Sequence, residues 1–311
     1  MTARGGVAAV LLGVVASAGC QGPPSPPDSS AVSWSQIETG RKEGLIGIWG
    51  AAPNDVFAVG AAGTIVRYDG KAWTLMPVEG GPHLIAAWGA SGRDVFAVGL
   101  DGVILHYDGS MWMAMNSGTQ QDLRAVWGTS AKDVYAVGHG GTVLHFDGAS
   151  WKLMDSGTMS DLEWIWGVSE NEVLAVGGDK GKGLILRYDG TAWAPMAMPP
   201  SPALMGVWGS SSKDVFACGL DLALLHYDGT VWTQMVATSS LSSPPPLLRV
   251  WGSGPDDVYA AGVGAVLHFD GESWTETETG LKDTFSGVWG SSRDEVFVVS
   301  AAGTVLRRRR E

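Results

Sequence analysis

The sequence predicts an all-β protein, a seven-bladed β-propeller with four antiparallel strands in each blade. Two observations predict it: a segment of about 39 residues recurs along the chain, and tryptophan marks the same two places in each copy. The first place is held by Trp49, Trp88, Trp127, Trp166, Trp208, Trp251 and Trp289. The second is held by Trp34, Trp73, Trp112, Trp151, Trp193, Trp232 and Trp274. Together they account for all but one of the 15 tryptophans, so one repeat rule covers the whole chain.

Each copy contains four strand-like runs rich in Val, Ile, Phe, Tyr and Thr. Leu123–Trp127 exemplifies the first, Asp94–Gly99 the second and Thr142–Phe146 the third, while the fourth carries the second tryptophan. An Asp-Gly pair separates the third and fourth runs and favours a tight hairpin, because Asp bonds its own backbone and Gly adopts the left-handed conformation. The pairs are at 69–70, 108–109, 147–148, 189–190, 228–229 and 270–271. Their recurrence argues against a catalytic role for these aspartates.

The two ends of the repeat predict how the ring closes. Trp34 precedes Trp49 by 15 residues, the usual interval, yet nothing before it supplies the rest of a blade. The copy that begins at Trp289 stops before its second tryptophan. Ser33–Gly40 is therefore predicted to be the outer strand of the last blade, whose three inner strands come from about 285–308. This pairing removes an open sheet edge. Two longer copies, with extra residues near 177–183 and 242–246, are predicted to carry insertions in turns.

Composition limits the partners that the protein can have. Hydrophobic residues make up 45% of the chain and charged residues 17%, enough for one soluble domain with a large core. The net charge of −12 argues against nucleic acid, because phosphate binding needs a cationic surface. In the basic run Arg307–Arg310, Arg307 stands at a repeat position, and the following three arginines are predicted to be a solvated tail, with an anion site as the alternative. Cys218 replaces a repeat valine and is predicted to pack in the core. We expect a monomer without cofactor, metal or disulfide.

The first residues predict export. Met1–Arg4 is positively charged, Val7–Ala16 is apolar but too short to span a membrane, and Cys20 follows Ala18 and Gly19. This pattern resembles a bacterial lipoprotein signal. It predicts a signal peptide at 1–19, a lipid-bearing Cys20 with a linker at 20–32, and the propeller at 33–311. The protein would then sit in the cell envelope, periplasmic or on the outer surface, held to the membrane by lipid only. The alternative is cleavage after Ala18 and secretion as a soluble protein.

The repeat resembles those of known propeller families. It is most similar to the Asp-box propellers, especially the photosystem II assembly-factor type, over about 34–307. The shared features are the hydrophobic-x-x-Val first strand, the Ala-Val-Gly-x-x-Gly-Thr-Val-Leu run and the Asp-Gly-x-x-Trp hairpin. Kelch repeats are the second resemblance, through the Tyr-Asp of the third strand and the later Trp. The resemblance implies a propeller that binds something, often a protein under assembly.

One position in the repeat departs from its own rule. The residue two before the first tryptophan is small in five copies, as Gly47, Ala86, Ala125, Gly206 and Gly287. It is Trp164 and Arg249 in the other two. First strands line the channel of a propeller, so Trp164 is predicted near the channel mouth and Arg249 as a group that binds an anion or a carboxylate. Loop residues Glu163, Arg124, Asp179 and Lys180 would supply a polar rim. The alternative is that Trp164 and Arg249 only fill space in a distorted ring.

Enzymatic alternatives find less support in the sequence. All six tyrosines and four of the six histidines are repeat positions, which leaves His83 and His139. Both fall in loops of one face, where they join Asp101 and Asp122 as candidate metal ligands, although loop His and Asp are usually only solvated. We therefore predict a non-enzymatic, envelope-tethered binding or scaffold propeller that recognises a protein or glycan. The alternative function is a secreted glycan-acting hydrolase or lyase on the same fold.

Overall fold

The computed structural model describes residues 1–2, 33–78, 80–179, 181–238 and 244–309. The predicted all-β fold is confirmed: seven sheets form seven blades, and four antiparallel strands make up each blade. The first strand of each blade packs against the first strands of both neighbouring blades, so these strands form a closed inner ring. The blades are numbered from the one that begins at Leu45. None of the described residues belongs to a helix long and apolar enough to cross a membrane.

The strand bounds repeat from blade to blade. The first strands of blades 1 to 7 are Leu45–Ala52, Leu84–Ser91, Leu123–Ser130, Asp161–Ser169, Leu204–Ser211, Leu247–Gly254 and Phe285–Ser292. The second strands are Asp55–Gly60, Asp94–Gly99, Asp133–Gly138, Glu172–Asp179, Asp214–Gly219, Asp257–Gly262 and Glu295–Ser300. The third strands are Ile65–Tyr68, Ile104–Tyr107, Val143–Phe146, Lys182–Tyr188, Leu224–Tyr227, Val266–Phe269 and Val305–Arg309. The outer strands are Trp73–Leu75, Trp112–Met115, Trp151–Met154, Trp193–Pro195, Trp232–Gln234, Trp274–Glu276 and, for blade 7, Ser33–Ile37.

The N-terminal strand closes the ring as the sequence predicts. Ser33–Ile37 pairs antiparallel with Val305–Arg309, with Trp34 opposite Arg308. The predicted solvated tail is therefore wrong for Arg308 and Arg309, because both lie in a strand that pairs on its two sides. The Trp34 indole N–H donates to the Thr277 hydroxyl of blade 6 at 3.0 Å. Both edges of the third strand of blade 7 are therefore paired, and the two ends of the domain share one sheet.

The Trp-Gly dipeptide of each first strand joins neighbouring blades. A Cβ atom on the glycine would lie within 2.9 Å of the indole of the preceding blade's first tryptophan, so no larger residue fits there. Trp49 lies against Gly89 of blade 2 in this way, and Trp289 of blade 7 lies against Gly50 of blade 1. The contact therefore runs through all seven blades and returns to its start. It explains why Gly follows Trp in each copy.

The outer tryptophans make a second set of contacts between blades. Trp274 is 1% exposed, and its N–H meets the Met235 sulfur of the preceding blade's linker at 3.4 Å. Methionine stands three residues after the outer tryptophan in blades 1 to 5 and packs in the same cluster as the next outer tryptophan. Five indole N–H groups of this set are buried without another hydrogen-bond partner among the described residues. A thioether is a weak acceptor, so packing dominates this contact.

The Asp-Gly turns have the predicted geometry. The carboxylate of Asp108 accepts the backbone N–H groups of Ser110 and Met111 at 2.8 and 2.9 Å, and Gly109 has φ +94°. The Ser110 hydroxyl donates to the same oxygen, and these hydrogen bonds lower the pKa of Asp108 to about 2. Equivalent bonds lower the pKa of Asp189 and Asp228 to about 2 as well. These carboxylates are structural, as their recurrence indicates.

Only the first of the two long copies differs from the simple turn insertion that the sequence predicts. Of the second insertion, residues 244–246 belong to no strand, and 242–243 lie outside the described residues. In blade 4 the extra residues lengthen the second and third strands, which pair as far as Asp179 and Lys182. Blades 1, 2, 3 and 5 instead have a single 3-10 turn at this place: Ala61–Gly63, Leu100–Gly102, His139–Gly141 and Leu220–Leu222. In the long linker before blade 6, Ala237–Thr238 forms a fifth strand, parallel to the outer strand at Trp274 and Thr275. Backbone groups of the blade 4 insertion thus find partners on the neighbouring strand.

Candidate functional site

The candidate site lies on the inner ring, where side chains have little room. The residue two before the first tryptophan points toward the first strand of the next blade. A Cβ atom on Gly47 would lie 2.6 Å from the Ile85 carbonyl oxygen and 2.9 Å from the Ala86 Cα atom. Gly or Ala is therefore the residue that regular packing admits at this position. A larger side chain here requires a local rearrangement of the ring.

The two large residues at this position contact each other. The Arg249 guanidinium lies 4.0 Å from the centroid of the Trp164 ring. Trp164 belongs to blade 4 and Arg249 to blade 6, and blade 5 between them contributes Gly206. A Cβ atom on Gly206 would lie 3.1 Å from the Arg249 Cα atom, so the first strand of blade 5 packs closely against that of blade 6. The two irregular residues therefore form a single cation–π unit across blade 5.

Arg249 is almost completely buried. It is 7% exposed, and its Nη1 donates to the carbonyl oxygens of Leu248 at 2.7 Å and Met205 at 3.0 Å. Its Nε is buried and has no acceptor among the described residues. Burial lowers the pKa of Arg249 to about 10, and the nearby Glu163 carboxylate opposes this shift. The guanidinium is thus a desolvated cation with an unused donor.

An ion pair lies beside this unit. Arg124 of blade 3 donates to the Glu163 carboxylate of blade 4 at 3.1 Å, and their side chains are 26% and 13% exposed. Each stands three residues before a first tryptophan, where other blades carry Ile46, Ile85, Met205, Leu248 and Ser286. Arg124, Glu163, Trp164 and Arg249 are called the channel cluster below. The structure thus brings four of the predicted site residues together.

Two other predicted rim residues are placed differently. Asp179 is exposed at the end of the second strand of blade 4, where it pairs across the hairpin with Lys182. Among the hydrogen bonds and ion pairs of the described residues, none joins Asp179 to the channel cluster. Lys180 lies outside the described residues, and so does Cys20. Whether these residues take part in binding or lipidation stays a prediction.

The loop histidines come close to only one carboxylate. The Nδ1 of His139 lies 3.5 Å from Asp122, whose carboxylate also accepts the backbone N–H of Asp101 at 3.0 Å. His83 is exposed, and its carbonyl oxygen accepts the N–H of Leu100. Asp101 thus offers its backbone rather than its carboxylate to this group. Within the described ranges, no group of three or more His, Cys, Asp or Glu residues is arranged to hold a metal ion.

A set of polar contacts that sequence reasoning missed occurs in all seven blades. The acid at the start of the second strand pairs with an Arg or His side chain in the third strand. The pairs are Asp55–Arg67, Asp94–His106, Asp133–His145, Glu172–Arg187, Asp214–His226, Asp257–His268 and Glu295–Arg307, at distances of 2.5 to 3.1 Å. The available signal was the spacing of 12 residues between the acid and its partner in five blades, which becomes 15 residues in blade 4 and 11 residues in blade 6. Because this contact occurs in every blade, we infer that it stabilises each blade and does not identify a binding or catalytic site.

Cys218 lies near the channel cluster but is inert. It is a free, fully buried cysteine opposite Gly206, as its valine-like position predicts. Burial raises the pKa of its thiol to about 12, and Arg249 opposes this rise only in part. A thiol with a raised pKa is a poor nucleophile. Cys218 therefore packs in the core.

Comparisons with known proteins locate the fold. No protein-family model matches the chain, and no curated protein sequence matches it. Solved structures do match. A structure described as YCF48 bound to D1 peptide shares 16% identity with a TM-score of 0.73, covering 93% of this chain and 100% of that one. The WD40 β-propeller domain of Doa1 shares 15% identity with a TM-score of 0.76, covering 90% and 98%.

An enzyme is among the similar structures. Virginiamycin B lyase from Staphylococcus aureus shares 11% identity with a TM-score of 0.70, covering 88% of this chain and 98% of that one. At such low identities the likeness shows the fold alone. The chain is thus a seven-bladed β-propeller that resembles YCF48 and the WD40 propellers. The likeness to YCF48, a photosystem II assembly factor, agrees with the resemblance that the repeats predict, whereas the likeness to WD40 propellers was not predicted.

Proposed function

We propose that this protein is a non-enzymatic binding or scaffold propeller that holds a protein partner at the channel cluster. The observation that carries the proposal is the Trp164–Arg249 unit, the two bulky side chains at a position that five blades keep small. Trp164 and Arg249 both break the rule of small residues at this position, and although they belong to blades that are not neighbours, their side chains are in contact. A site assembled from several blades is what a partner on the propeller axis would need.

The energetics favour a functional reason for this unit. Burial of a guanidinium with an unused donor costs free energy, and an apolar residue of similar size would avoid that cost. Gly or Ala at the same position closes five of the blades without difficulty. The charged residue is thus retained although the fold does not need it. A partner that moves the Trp164 ring aside and supplies an acceptor to the buried Nε of Arg249 would recover the lost hydrogen bond.

The chemistry of the cluster indicates what the partner brings. Trp164 is half-buried and offers an aromatic surface, and Arg249 needs a carbonyl or carboxylate oxygen. The Arg124–Glu163 pair adds polar groups of both signs at the edge. An extended peptide or a chain terminus carries such oxygens beside apolar side chains. The fold-level likeness to a YCF48 structure that holds a D1 peptide supports a peptide partner by analogy.

The proposal includes a location in the cell envelope. The support is the apolar run followed by Ala18, Gly19 and Cys20. A Cys20→Ser variant expressed in a bacterial host should move from the membrane fraction to the soluble fraction and lose fatty-acid labelling. A native protein that is already soluble, with Gly19 as its first residue, would instead support cleavage after Ala18.

The binding proposal is tested by capture from envelope extract. The immobilised wild-type domain should retain a partner that the Trp164→Ala/Arg249→Gly double variant retains at least about tenfold less. The matched control is Asp133→Ala, which breaks a repeated ion pair outside the channel cluster and should capture normally. Equal capture by the double variant would refute the site. The glycan alternatives are tested separately, by binding to and turnover of sugar polymers.

A further inference from the structure

A second surface that is not shared by all blades lies at the periphery of the molecule, between blades 1 and 2. A groove of about 820 Å³ runs there between Met76–Val78 of the blade 1 linker and the outer strand of blade 2. Among the residues that the structure describes, no charged side chain lines it. Met111 is 58% exposed and Met113 is 45% exposed. A continuous apolar surface of this kind on a chain of net charge −12 is typical of an interaction site.

The equivalent groove between blades 3 and 4 is smaller and more polar. It measures about 320 Å³, and Asp155 stands in it where Pro77 stands between blades 1 and 2. Ala192 occupies the place of Met111. The apolar groove is thus not a feature of every blade interface. It arises from particular residues in two adjoining copies of the repeat.

Blade 6 shows what such a groove accepts. There the chain's own linker fills the equivalent place, with Ala237–Thr238 added as a parallel fifth strand beside Trp274 and Thr275. In the blade 1 linker, Val78 stands where Ala237 stands, but it follows Pro77 and belongs to no strand. Proline has no backbone N–H to donate to a ladder. The outer strand of blade 2 is therefore left without the partner that blade 6 has.

The free edge of blade 2 is suited to pairing. Met111 uses its carbonyl oxygen inside the hairpin, accepting the N–H of Asp108. In an antiparallel pair the inward-facing and outward-facing residues alternate, so Trp112 and Ala114 turn their N–H and C=O groups outward. All residues from Met111 to Met115 are apolar, whereas Lys152 interrupts the outer strand of blade 3 and Pro195 that of blade 4. Charge and proline are the usual means of protecting an edge, and this edge has neither.

We propose that the groove binds an extended segment of a partner protein, which adds to blade 2 as a parallel fifth strand in register with Trp112 and Met113. The paired part of that segment is uncharged and carries small or apolar side chains, because the groove offers no counter-charge. Acidic flanks are disfavoured by the negative charge of the domain. Backbone hydrogen bonds supply the affinity and the methionines adapt to the side chains.

The probe for the test is a capped, labelled heptapeptide with the sequence of residues 234–240, Gln-Met-Val-Ala-Thr-Ser-Ser, which contains the blade 6 fifth strand. Fluorescence anisotropy should show saturable binding to the wild-type domain. The Ala114→Pro variant should bind at least about tenfold more weakly, because proline removes an outward N–H and leaves the inner ladder intact. Blade 4 already carries Pro195 at the equivalent position, so the variant should fold. Met113→Lys, which puts a charge on the edge, is a second variant with the same expected loss.

The controls separate this groove from the channel cluster and from other edges. Leu153→Pro makes the same change in blade 3, and Trp164→Ala alters the channel cluster, so both should bind the peptide as the wild type does. Equal loss in Leu153→Pro, or no saturable binding to the wild type, would overturn the proposal. Self-association of the wild type that Ala114→Pro abolishes, in sedimentation without peptide, would assign the edge to a second copy of the chain and overturn it as well.

Discussion

The seven repeated acid–Arg/His pairs and the channel cluster differ in how they relate to the repeat: the pairs recur in every blade, whereas the cluster occurs once. The pair Asp133–His145 has a counterpart in every blade, lies at a partly exposed place and satisfies both partners. Arg249 has no counterpart, is 7% exposed and keeps one N–H without an acceptor. A charge that recurs serves the blade. A charge that occurs once, at a cost in desolvation, is the better candidate for function.

The largest expected loss of stability comes from opening the ring, because the repeated pairs and the channel cluster both depend on a closed ring. A domain that starts after Ile37 lacks the outer strand of blade 7 and exposes the edge at Val305–Arg309. We expect its melting temperature to fall by about 10 °C and its solubility to drop. A domain that starts at Val32 keeps the strand and is the control. Equal melting temperatures, measured by calorimetry, would contradict the closure.

Substitutions of Trp164 and of Arg249 should change the free energy of unfolding in opposite directions. Trp164→Ala removes a half-buried ring and uncovers a buried cation, so it should lower the free energy of unfolding by about 3 kcal/mol. Arg249→Met keeps an apolar side chain and removes the desolvated charge, so stability should stay unchanged or rise by about 2 kcal/mol. Urea denaturation measures both. A large loss of stability in Arg249→Met would show that the guanidinium stabilises the ring.

A repeated pair should matter less to stability and not at all to binding. Asp133→Ala leaves His145 and the Thr129 hydroxyl without their shared acceptor. The expected loss is about 1 to 2 kcal/mol by urea denaturation, since both side chains of the pair are partly exposed. Capture of a partner at the channel cluster should be unaffected. Loss of capture without loss of stability would mean that the repeated pairs also take part in binding.

The smallest effect is expected from the Asp-Gly turns. Their hydrogen bonds lower the pKa of Asp108, Asp189 and Asp228 to about 2 in the folded state, below the ordinary value of about 3.9. A lowered carboxyl pKa gives stability that is fully present above about pH 4 and is lost as the pH falls toward 2. The melting temperature should therefore decline over this window. Asp108→Asn keeps the turn without titrating and should reduce the decline; an unchanged slope would contradict this account.

The regular part of the fold was predictable, and the reason is geometric. Each copy carries the residue patterns of its strands, its Asp-Gly hairpin and its Trp-Gly contact. Ser33–Ile37 supplies the outer strand that the last copy lacks. The parallel strand Ala237–Thr238 was not predictable from the repeat. Its residues follow no rule shared by other copies, and its pairing depends on how a linker lies against the next blade.

The candidate site was predictable in its members but not in its arrangement. The breaks in the repeat identified Trp164 and Arg249 together with Glu163 and Arg124. The sequence alone could not show that the guanidinium stacks on the indole, because the contact joins residues of blades 4 and 6, which are not neighbours in the ring. Nor could it show that His139 and Asp122 meet while the carboxylate of Asp101 turns elsewhere.

By itself the sequence determined the fold class, the number of blades and the way the ring closes, because these follow from local patterns that recur every blade. The tertiary structure decided which single residues meet: the channel cluster on the axis, and the apolar groove beside the free edge at Trp112–Met115. Strand formation is encoded within a few neighbouring residues. Contacts between blades join residues far apart in the chain, and only the three-dimensional packing brings them together.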